Sequence, residues 1–315
     1  MCSLGIRNIM VLPAILEKET KMRKTIFILT IILTTSSLYC QTMFSGFIDK
    51  NPIEFVAEIS TDGVASAIYA YSDKDEPIVI SGTLKNKELT LYEKDANKKN
   101  SAKLTFNKFD STNSKHEGIW TDLTTNKELK ITLDKTFEIN FGDSIEWEDR
   151  EILQPVSLDK KYFKLIVSKK KGEFFATVTG VKIIEKKTDK LNQKLKVDCR
   201  LIGLNNISIG DFNFDGILDF TIFETSYAGT NTSSLYFLYD TKSNKYIDSG
   251  FSSVSLEFDN KAKRIYERNQ CCAGSQITTA EYKVVKNKMV LIKEHCFKWD
   301  EKKQELIERN IKDCE

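Results

Sequence analysis

From about residue 44 the chain alternates apolar and polar positions with a period of two. Ile53, Phe55, Ala57 and Ile59 fall on one face and Glu54, Val56 and Glu58 on the other. A Thr61-Asp62-Gly63 turn follows, then Ala65, Ala67, Tyr69 and Tyr71 on one face. The same spacing recurs at Ile78/Ile80, Leu89/Leu91, Ala102/Leu104/Phe106, Leu129/Ile131/Leu133 and Phe137/Ile139/Phe141. Successive strand side chains point to opposite faces, so this pattern predicts half-buried antiparallel strands. The links, such as Lys85-Asn86-Lys87 and Asp122 to Asn126, are short and polar, as hairpin loops are. Eight or nine such strands predict a meander or a small closed barrel, because closure removes exposed edges.

The rhythm breaks between Asp143 and Asp159, where Glu146, Glu148, Asp149, Arg150, Glu151 and Pro155 cluster. This predicts a linker over 146–159, between a barrel domain at 41–145 and a second β domain at 160–315. The second region predicts strands at 161–168, 173–185, 194–202, 217–224, 234–240, 253–258, 262–268, 277–285, 289–299 and 304–311. The fold class expected is all-β.

The start of the chain reads differently. From Met22 it runs MRKTIFILTIILTTSSLYCQ: a basic pair, a short apolar core and small polar residues before Cys40. That is the layout of a secretory signal peptide over 22–40, which makes 1–40 a leader. The apolar run is far shorter than the ~20 residues of a membrane span. Ser37 and Tyr39 fit a lipobox poorly, so cleavage after Cys40 is favoured over a lipid anchor on it. Without the leader the formal charge falls from +2 to −1, as five basic and two acidic residues leave. A body without a basic surplus argues against nucleic acid as partner.

Export bears on the remaining cysteines, Cys199, Cys271, Cys272, Cys296 and Cys314. Five cysteines allow two bridges and one free thiol, with the vicinal Cys271 and Cys272 expected to reach separate partners. No spacing fits a zinc finger. The only histidines are His116 and His295, and no nucleophile elbow, H-E-x-x-H or P-loop occurs. No enzymatic activity is expected.

One segment has metal-ligand spacing. In DFNFDGILDF, residues 211–220, Asp211, Asn213 and Asp215 stand at positions 1, 3 and 5. Gly216 permits the turn, the Ile217 main-chain oxygen falls at 7 and Asp219 at 9. Calcium takes six to eight hard oxygens in flexible geometry, and this spacing supplies most of them. The Glu that an EF-hand places at position 12 is replaced by Ile222, so the loop predicts a calcium site between strands. A plain polar turn would use the same residue types, but without a cation it crowds like charge.

The segment DFNFDGILDF, the loop SYAGTNTSS (226–234), LYFLYD (235–240) and the pair Cys271-Cys272 together resemble a family of exported bacterial proteins. Its members include a periplasmic calcium-binding inhibitor of lysozyme-type peptidoglycan hydrolases. The resemblance covers about residues 160–315 and rests on the order of motifs. It implies a β-sheet fold, calcium on Asp211, Asn213, Asp215 and Asp219, and an inhibitor or immunity role with loop 226–234 facing the partner. Several lysozyme-inhibitor families use Ser-Gly-x-x-Tyr. Here Ser45-Gly46, Ser81-Gly82 and Ser249-Gly250 carry Asp49, Lys85 and Ser253 at the Tyr position. The stretches 69–84 and 89–94 resemble β-meander domains of uncharacterised exported bacterial proteins. The alternative function is a glycan or small-ligand surface module using Tyr69, Tyr71 and Trp120.

Overall fold

The computed structural model describes residues 40–139, 144–227 and 230–314. The leader reading and its cleavage site rest on residues up to Cys40, and 1–39 lie outside the described residues, as do Phe141, Asp143 and the pair 228–229. The chain is all-β as the periodicity predicts, with no α-helix among the described residues. In particular, none of these residues forms a helix long and apolar enough to cross a membrane.

Eight antiparallel strands close into a barrel. They are β1 (Cys40–Ile48), β2 (Asn51–Ile59), β3 (Val64–Tyr71), β4 (Ile78–Lys85), β5 (Glu88–Lys94), β6 (Asn100–Phe106), β7 (Lys115–Asp122) and β8 (Glu128–Glu138). Its interior holds the predicted faces: Ile53, Phe55, Ala65, Tyr69, Leu91 and Leu104 among others. A bulge explains why the run at Phe137 belongs elsewhere. Met43 pairs with Phe137 but Phe44 pairs with Lys135, which leaves Thr136 extra in β8. One extra residue reverses the side-chain alternation. Leu133 therefore points into the barrel, while Phe137 and Ile139 join a second core outside it.

That second core corrects the predicted linker. Residues 146–159 contain a strand, β9 (Trp147–Ser157), paired with β10 (Lys161–Lys169). Ile152 and Leu153 are buried, whereas Glu148, Asp149, Arg150 and Glu151 are exposed. The charge cluster that suggested a linker is the solvent side of a sheet edge, where charges block unwanted pairing. Pro155 lies within a bulge of this edge strand, where its missing N–H costs no ladder bond.

β9 and β10 join β11 (Thr177–Glu185) and β12 (Leu191–Arg200) in the order β12-β11-β10-β9. A second four-stranded sheet runs β13 (Ile207–Gly210), β14 (Asp219–Ser226), β15 (Thr232–Asp240) and β16 (Lys245–Asp248). The last sheet runs β17 (Leu256–Asp259), β18 (Arg264–Cys271), β19 (Gln276–Val285), β20 (Lys288–Asp300) and β21 (Glu305–Arg309). Met43, Val56 and Ile68 on the outside of the barrel pack into one core with Phe163, Val181, Phe220 and Phe237. Ion pairing reinforces the seam, with Lys164 Nζ 2.6 Å from Glu54. The Lys187 amide donates to Asp75 at 2.6 Å. The barrel and the sheets beside it thus share apolar surface across the predicted boundary.

Candidate functional site

The 211–219 loop connects β13 to β14, and its alternation decides how it sits. Phe212 and Phe214 turn into a small core between the last two sheets, with Tyr236, Phe251, Phe258 and Ile265. The Phe212 ring centroid lies 4.9 Å from that of Phe258 and 5.2 Å from that of Tyr236. Anchoring the aromatic positions leaves Asp211, Asn213 and Asp215 to the polar side. Gly216 has φ 88°, a left-handed conformation that suits glycine.

The acidic oxygens organise the turn. Asp211 accepts the amides of Asp215 at 3.0 Å and Gly216 at 2.8 Å, one on each oxygen. Asp215 Oδ1 accepts the Ile217 amide at 2.8 Å. The Asn213 side-chain amide donates to Asp215 Oδ2 at 2.8 Å. Asp219 opens β14 and is fully buried; its two oxygens accept the amides of Phe212 at 3.0 Å and Tyr239 at 2.8 Å. Burial pushes its pKa up to about 6 despite these two amides, and the nearby charges of Asp215 and Asp211 push in the same direction.

The donor set is one of hard oxygens: carboxylates, the Asn213 amide oxygen and the Ile217 carbonyl. A carboxylate oxygen that accepts one N–H keeps lone-pair capacity for a second partner. In chemistry these residues suit calcium better than a thiophilic metal. Among the described residues, however, no group of three or more His, Cys, Asp or Glu side chains is gathered as a metal cage. One contact could not be read from the sequence. Asn287, at the turn between β19 and β20, accepts a hydrogen bond from Asn213 at 3.1 Å, across a separation of 74 residues. Nothing in local spacing signals it.

The other predicted residues are dispersed. Cys296 and Cys314 form a disulfide, while Cys199 is free and buried and Cys271 and Cys272 are free and exposed. Two bridges were expected; one is found among the described residues. Cys199, a residue of β12, is buried in the larger core, whereas Cys271 and Cys272 are exposed. In the 226–234 loop Tyr227 is exposed. Asn231 is committed to β18, donating to Asn269 at 2.8 Å and accepting from the Gln270 amide at 3.0 Å. Tyr69 and Trp120 do come together: the Tyr69 hydroxyl and Trp120 Nε1 both donate to Glu93 Oε1 at 2.5 Å. Tyr69 is buried, while Tyr71, whose ring lies 5.6 Å from that of Tyr69, and Trp120 are half-buried. His116 is buried against Phe109, and His295 Nδ1 lies 2.6 Å from Glu308.

Two of the Ser-Gly pairs have a structural explanation. A Cβ at Gly46 would stand 1.9 Å from the Thr132 carbonyl oxygen, and one at Gly82 would stand 1.9 Å from that of Thr90. These glycines let barrel strands approach closely.

No family model matches the chain, and none of the curated proteins does. Among solved structures it is similar to a crystal structure of a protein from Lactobacillus plantarum. The identity is 9% and the TM-score 0.24, over 87% of this chain and 96% of that one. It is also similar to the WD40 domain of SCAP from fission yeast, with 9% identity and TM-score 0.24, over 82% and 88%.

Proposed function

We propose that this chain is an exported protein that works by binding and not by catalysis, and that its 211–219 loop holds a calcium ion. What supports the ion is the hard-oxygen spacing of one short loop, with Asp211, Asn213 and Asp215 at alternate positions and the buried Asp219 carboxylate at its end. A divalent cation balances the negative charge that these carboxylates bring to one loop. Asp211, Asn213, Asp215, the Ile217 carbonyl and Asp219 are the ligands we assign. Binding to the folded state alone raises stability by about 2.7 kcal/mol when calcium is at a hundredfold its dissociation constant.

The partner class we propose is a lysozyme-type peptidoglycan hydrolase, on the motif order of residues 160–315. Beside the loop a cleft of about 1100 Å³ is bordered by Ile217, Leu218, Tyr239, Tyr246, Lys160 and Lys161. It offers apolar and polar contacts next to the ion. The test has two parts. Thermal melts of the chain from Gln41 in calcium and in chelator should differ, with the calcium form melting higher. The same protein should slow lysis of peptidoglycan by a lysozyme-type enzyme. Equal melts contradict the calcium reading, and unaltered lysis across a panel of such enzymes contradicts the partner reading.

A further inference from the structure

The turn between β18 and β19 carries two adjacent cysteines that the proposed ion site does not use. At Cys271 the backbone is still extended, with φ −124° and ψ 177°. In a continuing strand Cys272 would project to the opposite face. Instead Cys272 has φ 58° and Ala273 φ 54°. Both are in the left-handed region, which non-glycine residues enter at a cost. Ser275 holds this bend by donating to the Cys272 carbonyl through its amide at 3.1 Å and its hydroxyl at 2.7 Å. The Cys272 thiol is near enough to be the main influence raising the pKa of Cys271. Among the described residues no other thiol is open to either: Cys199 is buried, and Cys296 and Cys314 are bonded to each other.

We propose that Cys271 and Cys272 are a redox pair that closes into a vicinal disulfide and reopens. On closing, two S–H bonds break and one S–S bond forms. Two electrons and two protons pass to a low-molecular-weight disulfide such as oxidised glutathione, which leaves as two thiols. Consecutive Cα atoms are about 3.8 Å apart. Bridged cysteines usually span about 4.4–6.8 Å, so the ring is strained and easily reduced. The Cys296–Cys314 bond spans 5.9 Å between Cα atoms, within that ordinary range. One bond is a staple, and the other follows the thiol poise of its surroundings.

The tryptic peptide Asn269–Lys283 contains both cysteines and no others. After the folded chain is incubated with oxidised glutathione, this peptide should be two hydrogens lighter, closed to maleimide and free of glutathione. Reduced glutathione should reopen it at a ratio that leaves Cys296–Cys314 intact. In Cys271→Ser the remaining thiol should instead carry glutathione. A wild-type peptide that carries glutathione, links two chains or remains fully maleimide-reactive would overturn the proposal. So would a pair that resists reduction as long as Cys296–Cys314 does.

Discussion

Asp219 Oδ1 accepts the main-chain amide of Tyr239 at 2.8 Å, from β14 to the adjacent β15. The same carboxylate holds Phe212 at the head of the loop, so one buried side chain ties the loop to its sheet. Asp219→Asn places an amide N–H against one of these two N–H donors. Leaving such a buried donor unpaired costs about 1–3 kcal/mol. Urea unfolding in chelator, where no ion contributes, should show a loss of that size. An unchanged midpoint would show that the two amides have other partners.

Backbone proximity requires glycine at 46. The added Cβ of Gly46→Ala meets a main-chain oxygen that cannot move aside without parting β1 from β8. Overpacking of this kind costs roughly 1–3 kcal/mol or more. The expected result is a lower unfolding midpoint for Gly46→Ala, with Ser45→Ala close to wild type. Equal midpoints for Gly46→Ala and wild type would return this Ser-Gly pair to the list of contact motifs.

His116 makes the barrel sensitive to acid. Burial lowers its pKa below 6.5, with Lys135 acting in the same direction and the Asn113 backbone and Asp110 opposing. The unfolded chain then binds a proton more readily than the folded one, so stability is lost as pH falls below about 6.5. His116→Phe keeps the ring stacked on Phe109 and removes the titration. Denaturation midpoints at pH 7 and pH 5 should differ less in this variant than in wild type. An identical pH dependence in both would remove His116 as the cause.

The Cys296–Cys314 bridge closes a short segment, with a sequence separation of 18. A loop of that length contributes roughly 3 kcal/mol in the chain-entropy picture. The Cys296→Ser/Cys314→Ser double variant should unfold at a correspondingly lower urea concentration. A change within error would mean that the tail after β21 adds nothing to the cooperative unit.

Much of this fold was legible because the barrel obeys local rules. The alternation at Ile53/Phe55/Ala57 and Leu89/Leu91 maps directly onto the interior. What escaped was non-local. The charged run at 148–151 masked β9, because the buried pair Ile152 and Leu153 is too short to show a period beside it. Sequence cannot show which β8 residue is squeezed out of register, and so could not assign Phe137 to the outer core. The candidate loop was fully visible as spacing, since Asp211 to Asp219 are close in sequence. Its contact with Asn287 was not, because a turn residue 74 positions away carries no mark of its partner. Cysteine pairing escaped for the same reason.

Calorimetric titration of calcium into the chelator-stripped chain decides whether the 211–219 loop holds an ion. A single saturable binding event is expected in wild type, lost in Asp211→Ala/Asp215→Ala, with magnesium giving a much weaker response. No calcium heat in wild type, or the same isotherm in the double variant, would contradict it.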